Sequence, residues 1–217
     1  MTETAITAQE FRVMLRSVAA KIIGEESHLN SLDAALGDGD HGITMRLGFE
    51  AVARKLSEMD APAGIARTLE ESGMTFMGAT GGAIGVVLGK MLIAAGRSLK
   101  DASRFGVPEF RAMLAAMEAS VSNSGKVKSG DKTILDAVSG ASTSLSGDEG
   151  TVLAAVPKAA LAAEQAAQNT AHMLCRVGRA SRLGESALGH PDPGAVSFSI
   201  MLRAMAEWLE KRSEAFT

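Results

Sequence analysis

The chain has 217 residues, 46% of them hydrophobic, which is enough for one large domain with a sizeable core. Its 22 basic and 25 acidic residues leave a net charge of −3, which argues against a general binder of nucleic acid or membrane surfaces. The single cysteine, Cys175, rules out an internal disulfide and fits a reducing compartment.

The opening MTETAITAQEF is polar, without the charged-then-apolar layout of a secretion signal, and no apolar run reaches the length of a membrane span. A soluble, cytoplasmic protein is expected. From there the hydrophobic period is helical almost throughout. Thr7 and Glu10 form a capping box before a first helix that turns Phe11, Met14, Leu15, Val18, Ile22 and Ile23 to one face. Met45, Phe49, Val52, Leu56 and Met59 define a second helix. A third follows Pro62, with Ile65, Leu69 and Phe76 inward. The fourth carries Ile84, Val87, Leu88, Met91, Leu92 and Ala95, and its glycines 82, 85 and 89 predict a close neighbour or ligand. Pro108 suits the first turn of a fifth, with Phe110, Met113, Leu114, Met117 and Val121. Ile134, Leu135, Val138 and Leu145 give a short sixth. An alanine-rich seventh is expected over 151–177, and an eighth over 194–214 with Ile200, Ala204 and Trp208 inward. Strand patterns are absent. The expectation is an all-α domain of about eight helices spanning 1–217.

Four loops carry glycine, charge or both: 36–42 (LGDGDHG), 78–82 (GATGG), 122–132 (SNSGKVKSGDK) and 178–194 (GRASRLGESALGHPDPG). Short helix connections need no such chemistry, so these loops are expected to gather around one site.

In the first loop, a continuous helix would set Asp33 and Asp38 about 140° apart. Gly37 and Gly39 break that helix and let the chain fold back, so that Asp33, Asp38 and Asp40 converge. Three converging carboxylates call for a divalent cation, and all-oxygen ligation favours magnesium or calcium. An EF-hand starting at Asp38 would place Gly42, Ile43 and Phe49 where an oxygen ligand, a glycine and a glutamate are needed, so that calcium loop is excluded. Magnesium held by a few carboxylates points to a phosphorylated ligand. The plain alternative is an Asp-Gly turn with an aspartate cap. Backbone amides of residues 41–44 would form an anion-binding helix start, and Gly81 and Gly82 a second. Neither matches GxxxxGK[ST]. His172 and Cys175 read as core residues of the seventh helix. The two prolines of His190-Pro191-Asp192-Pro193 make a rigid loop, either over a ligand or merely between helices.

Together, LDAALGDGDHGITM (32–45), GATGGAIG (78–85), SGKVKSGDKTILDA (124–137) and GRASRLGESALGHPDPGAVS (178–197) resemble, in order and spacing, the nucleotide-binding L subunit of dihydroxyacetone kinase. A similar module forms the C-terminal domain of single-chain members. The resemblance implies a barrel of eight antiparallel α-helices with the nucleotide, ADP or ATP, among the loops at one end. Asp33, Asp38 and Asp40 match the holders of two magnesium ions. His41, Gly42, Ile43 and Thr44 match a phosphate-contacting helix start, joined by Gly82, Ala83 and Ile84. Gly125 and Ile134 match the base pocket, and Arg179, Asp192, Pro193 and Gly194 match further nucleotide contacts. Ile84, Arg182 and Ser139-Gly140 depart from the family's usual serine or threonine, tyrosine and proline.

The implied activity is phosphoryl transfer from nucleotide to dihydroxyacetone held covalently on a separate K subunit, which would also supply the substrate-activating groups. The donor is either ATP that exchanges, or a retained ADP recharged by an M subunit of the phosphoenolpyruvate-dependent phosphotransferase system. The separate short subunit favours the second. A related triose or tetrose ketose is a further substrate, and a nucleotide-responsive module acting on a transcription regulator is a reading of another class. Direct contact with nucleic acid or membrane is not expected.

Overall fold

The capping box predicted before the first helix forms as expected. Glu10 N–H donates to Thr7 Oγ1 (3.2 Å), and Thr7 N–H donates back to Glu10 Oε2 (2.8 Å). It opens α1 (Ala8–Gly24), which buries Phe11, Met14, Leu15, Val18, Ala19 and Ile22. This computed structural model describes residues 5–60, 63–145, 147 and 150–215. Pro62, expected ahead of the third helix, lies outside that set.

Beyond α1 come α2 (Glu26–Ala34), α3 (His41–Glu58), α4 (Ile65–Ala79), α5 (Gly82–Ser98), α6 (Val107–Gly125), α7 (Ile134–Ser144), α8 (Val152–Asn169) and α9 (Pro193–Glu214). Among the described residues the protein is all-α, apart from a two-residue antiparallel pairing of β1 (Ile6–Thr7) with β2 (Arg104–Phe105). That pairing seats Phe105 against Phe11, ring centroids 4.8 Å apart.

Two expectations need correction. The short α2 went unpredicted because Leu29 is its only buried residue, so it carries no apolar stripe. The seventh predicted helix ends at Asn169 rather than 177. There Thr170, fully buried, donates its hydroxyl to Ala167 O (2.6 Å) and accepts the Asp192 N–H (2.8 Å), which ties the helix end to the start of α9. A single 3-10 turn (Thr170–His172) follows, and then irregular chain.

The helices pack in sequence order, α3 on α4, α4 on α5 and so on through α9, and α9 returns to α1, which itself touches α3. The contacts close a ring of eight helices, with α2 set against α3 and α9. Phe49 and Phe76 meet edge-on across α3 and α4 at 5.3 Å; truncating such a core phenylalanine costs ~3–5 kcal/mol. A side chain at Gly85 or Gly89 would run into Thr80 or Met77 of the preceding segment, as predicted, whereas Gly82 faces open space. Arg12 closes the C-terminal end of α3 by donating to Met59 O (2.9 Å) and Asp60 O (3.0 Å). Glu10 and Arg212 join α1 to α9 through a 2.7 Å ion pair.

Candidate functional site

The acidic loop joins α2 to α3 by a tight turn. Leu36 N–H (2.9 Å) and Gly37 N–H (2.6 Å) both donate to Asp33 O. Gly39 takes a φ of +75°, a conformation that favours glycine, and the chain doubles back. Asp33 Oδ2 then accepts the N–H groups of Asp40 (3.0 Å) and His41 (3.2 Å). Asp33 is therefore the real cap of α3. Asp40 occupies the N-cap position, but its carboxylate makes no capping bond. Oxygens of Asp33, Asp38 and Asp40 lie within 4.8 Å of one another, Asp33 half-buried and the other two exposed. A plain turn would need only the capping oxygen of Asp33. Three convergent carboxylates form an all-oxygen donor set of the kind that holds magnesium.

The start of α3 differs from expectation. Three of the four amides expected to face an anion are engaged within the protein: His41 N–H on Asp33, Ile43 N–H on Asn30 Oδ1 (3.1 Å) and Thr44 N–H on Asp40 O (3.0 Å). Asn30, one turn before Asp33 on α2, was not singled out in the sequence, because its partner is 13 residues away. Gly42 serves the same junction. A Cβ there would strike the Glu26 carbonyl and lie 2.8 Å from Asn30 Oδ1. The His41 ring turns inward and bonds Ser197 Oγ of α9 (2.7 Å). Ser197 spends its own proton on Pro193 O (2.9 Å), so the contact requires a proton on His41 Nε2. Burial favours the neutral ring and pushes the His41 pKa down, against the pull of Asp33 and a hydrogen bond to the Pro193 backbone.

Behind the carboxylates lies a cavity of about 730 Å3. Asp33, Asp38, Asp40, His41 and Thr44 form one wall, and Gly82, Ala83 and Ile84 at the start of α5 form another. Gly125, Ile134, Asp192, Pro193 and Gly194 complete the predicted lining. Gly42 and Ile43 stay out of it, and Ile43 is 39% exposed on the surface. Arg179 begins a 3-10 segment (Arg179–Ala187), but its side chain lies outside the described residues. Cys175 was expected in the core of a helix and instead stands in the cavity wall; His172 is exposed.

The lining also carries apolar side chains, Val87, Val121, Val127, Ile134 and Val177, together with Lys132 and Thr133. Asp136 shapes the α7 side: its carboxylate accepts the N–H groups of Gly130 (2.5 Å) and Thr133 (2.8 Å) and so holds the 126–133 loop at the head of α7. Lys132 and Thr133 of that loop were missed from the sequence, where a lysine in a polar run reads as a solvated charge. Asp192 caps α9 by accepting the Ala195 N–H (2.7 Å). Burial, reinforced by the nearby carboxylates of Asp136 and Asp33 and opposed by that N–H and Lys132, pushes its pKa up to about 7.

The DAK2 domain family matches residues 35–207. The chain belongs to this family. As a DAK2 domain it is 34% identical over 214 residues to the ADP-binding subunit DhaL of PEP-dependent dihydroxyacetone kinase 2 from Listeria innocua, covering 97% of this chain and 99% of that one. It is 37% identical over 185 residues to the corresponding Escherichia coli DhaL subunit, covering 84% and 88%. Against human triokinase/FMN cyclase it is 34% identical over 206 residues, 94% of this chain, but spans only 36% of that longer protein. The DAK2 fold also superposes on the dihydroxyacetone kinase of C. freundii in its complex with AMP-PNP and Mg2+. The TM-score is 0.69 and the identity 26%, over 95% of this chain and 36% of that one.

Proposed function

We propose that the chain, as one domain, is the nucleotide-binding L subunit of a dihydroxyacetone kinase. It would bind ADP or ATP with magnesium and pass a phosphoryl group to dihydroxyacetone held on a separate K subunit. The observation that carries this reading is the convergence of Asp33, Asp38 and Asp40 on the wall of a cavity that also carries apolar side chains. The relatives named as ADP-binding subunits of PEP-dependent kinases support it.

Asp33, Asp38 and Asp40 are the residues to hold magnesium, two ions in this reading. Magnesium held there would supply neutralisation of phosphate charge, a main demand of phosphoryl transfer. Asp33 is oriented for the role, since Oδ2 is fixed by two amides. Thr44, Gly82, Ala83 and Ile84 border the phosphates. The valines and Ile134 take the base. His41 lines the cavity and holds α3 to α9 through Ser197. The donor in this reading is a phosphotransferase-system protein that recharges retained ADP.

A relative named L-erythrulose kinase from Pectobacterium atrosepticum, 36% identical over 192 residues, of which the chain spans 32%, favours a tetrose ketose as the second candidate acceptor. The deciding assay supplies dihydroxyacetone or erythrulose, a K subunit, and either ATP alone or phosphoenolpyruvate with the phosphotransfer proteins. Turnover with phosphoenolpyruvate is expected. Turnover with ATP alone selects the exchanging kinase. Tight nucleotide binding without turnover under either supply would overturn the catalytic role and favour the transcription-regulating one.

A further inference from the structure

Cys175, Val177 and Gly178 line the cavity just before the 3-10 segment Arg179–Ala187, and Ala180 lines it from within that segment. This segment is weakly built in. From 181 to 190 only Ala187 is buried, while Leu183 and Leu188 are 40% and 41% exposed. Three glycines, Gly178, Gly184 and Gly189, hold positive φ angles of +69°, +55° and +86° with open space around each, so the segment has bending points at both ends and in the middle. A strap of this kind opens easily unless something holds it.

What holds it comes from the loop before α7, which also lines the cavity. Lys132 is 1% exposed, and its backbone is itself left-handed (φ +61°). Its ammonium donates to Ala187 O at 2.7 Å, across 55 residues of sequence, and so grips the one buried point of the strap. Gly189 N–H on Ala171 O (2.8 Å) and Arg176 N–H on Asp131 O (3.3 Å) are the lesser backbone ties nearby. A buried ammonium carries a large desolvation cost, which is not incurred for ordinary loop packing. Burial pushes the Lys132 pKa down, while the carboxylate of Asp192 and the Cys175 group oppose that shift and favour the charged donor.

We infer that Lys132 is the positioning residue that keeps the 179–187 strap closed against the cavity and thereby sets the rate at which bound nucleoside diphosphate leaves. The inference rests on the nucleotide reading above and deepens it. A retained ADP that is recharged in place needs slow opening, and an exchanging ATP kinase does not. The charge-assisted bond from Lys132 is the latch that distinguishes the two.

The test loads the full chain with Mg2+ and a fluorescent ADP and follows release on chasing with unlabelled ADP. Removing one charge-assisted bond in Lys132→Met is expected to speed release about 10- to 100-fold, with association changed far less. Lys132→Arg, which keeps a charged donor, should restore most of the slow release. Trypsin cleavage at exposed Arg182, measured without nucleotide, should accelerate about tenfold in Lys132→Met at unchanged helical signal. Release at the wild-type rate, or faster release that Arg does not rescue, overturns the latch. If the folded wild type binds no Mg2+-ADP, the nucleotide reading fails, and the Arg182 cleavage rates alone decide whether Lys132 holds the strap. Should Lys132→Met lose its helical signal, Lys132→Gln takes its place under the same expectations.

Discussion

Asp33 carries two duties on two oxygens, and substitution can separate them. Oδ2 accepts the N–H groups of Asp40 and His41, while the same carboxylate joins Asp38 and Asp40 in the proposed metal site. Asp33→Asn keeps an oxygen for the two amides but loses the charge. Asp33→Ala loses both. Removing a cap costs ~0.5–2 kcal/mol, and here the acceptor is ionised and serves two donors. A loss of ~2 kcal/mol is therefore expected for the alanine variant, or about 4–8 °C in Tm for a chain of this size. The asparagine variant should stay within about 1 kcal/mol of wild type. Asp38→Ala, at an exposed position, should melt like wild type in chelator. Thermal melts in chelator read the cap, and calorimetric titration with Mg2+ and ADP reads the metal. All three variants should lose magnesium-dependent ADP binding, and only Asp33→Ala should lose stability. Retained Mg2+-ADP affinity in Asp33→Asn and Asp38→Ala would refute the metal assignment. A wild-type melt for Asp33→Ala would refute the cap.

Other outcomes follow from the same geometry. Ser197→Ala strands the buried His41 Nε2–H and should cost ~1–3 kcal/mol, measured by urea unfolding. Gly42→Ala drives a methyl into the Glu26 carbonyl and Asn30, so a loss of ~1–3 kcal/mol or more, together with weakened Mg2+-ADP binding, is expected from melts and titration. Asp192 is raised from 3.8 to about 7, so the native state holds its proton more tightly than the unfolded chain does. Its contribution is full below pH 3.8 and falls as pH rises towards 7. In metal-free protein, Tm plotted against pH for wild type minus Asp192→Asn should therefore decline across that window, and a flat difference would contradict the shift.

The ring helices were legible because each writes a 3.6-residue apolar stripe into its own sequence, as α1 does from Phe11 to Ile22. Where the stripe fails, so does the reading. The polar α2 has only Leu29 to bury, and the alanine run of α8 continues in composition past the point where Thr170 stops it through Asp192. The same division runs through the site. Asp33, Asp38 and Asp40 meet by a local turn that Gly37 and Gly39 announce. Lys132 is defined by a carbonyl 55 residues away and looks like any solvated lysine. The open anion site expected at the start of α3 was a sound inference from helix geometry alone, but Asn30, Asp33 and the Asp40 carbonyl take three of its four amides.

The meeting of α1 with α9 has a consequence for how this unit can be deployed. Glu10 near the start of the first helix and Arg212 near the finish of the last are stapled together, so the polypeptide enters and leaves at one corner of the ring. The mouth of the cavity is built by interior connections, α2–α3, α4–α5, α6–α7 and the stretch before α9. Such an arrangement works as a plug-in cassette. It can be spliced behind another unit, cut free, or re-ended at that corner without rethreading a helix, which fits its likeness to both short, separate chains and about a third of longer ones.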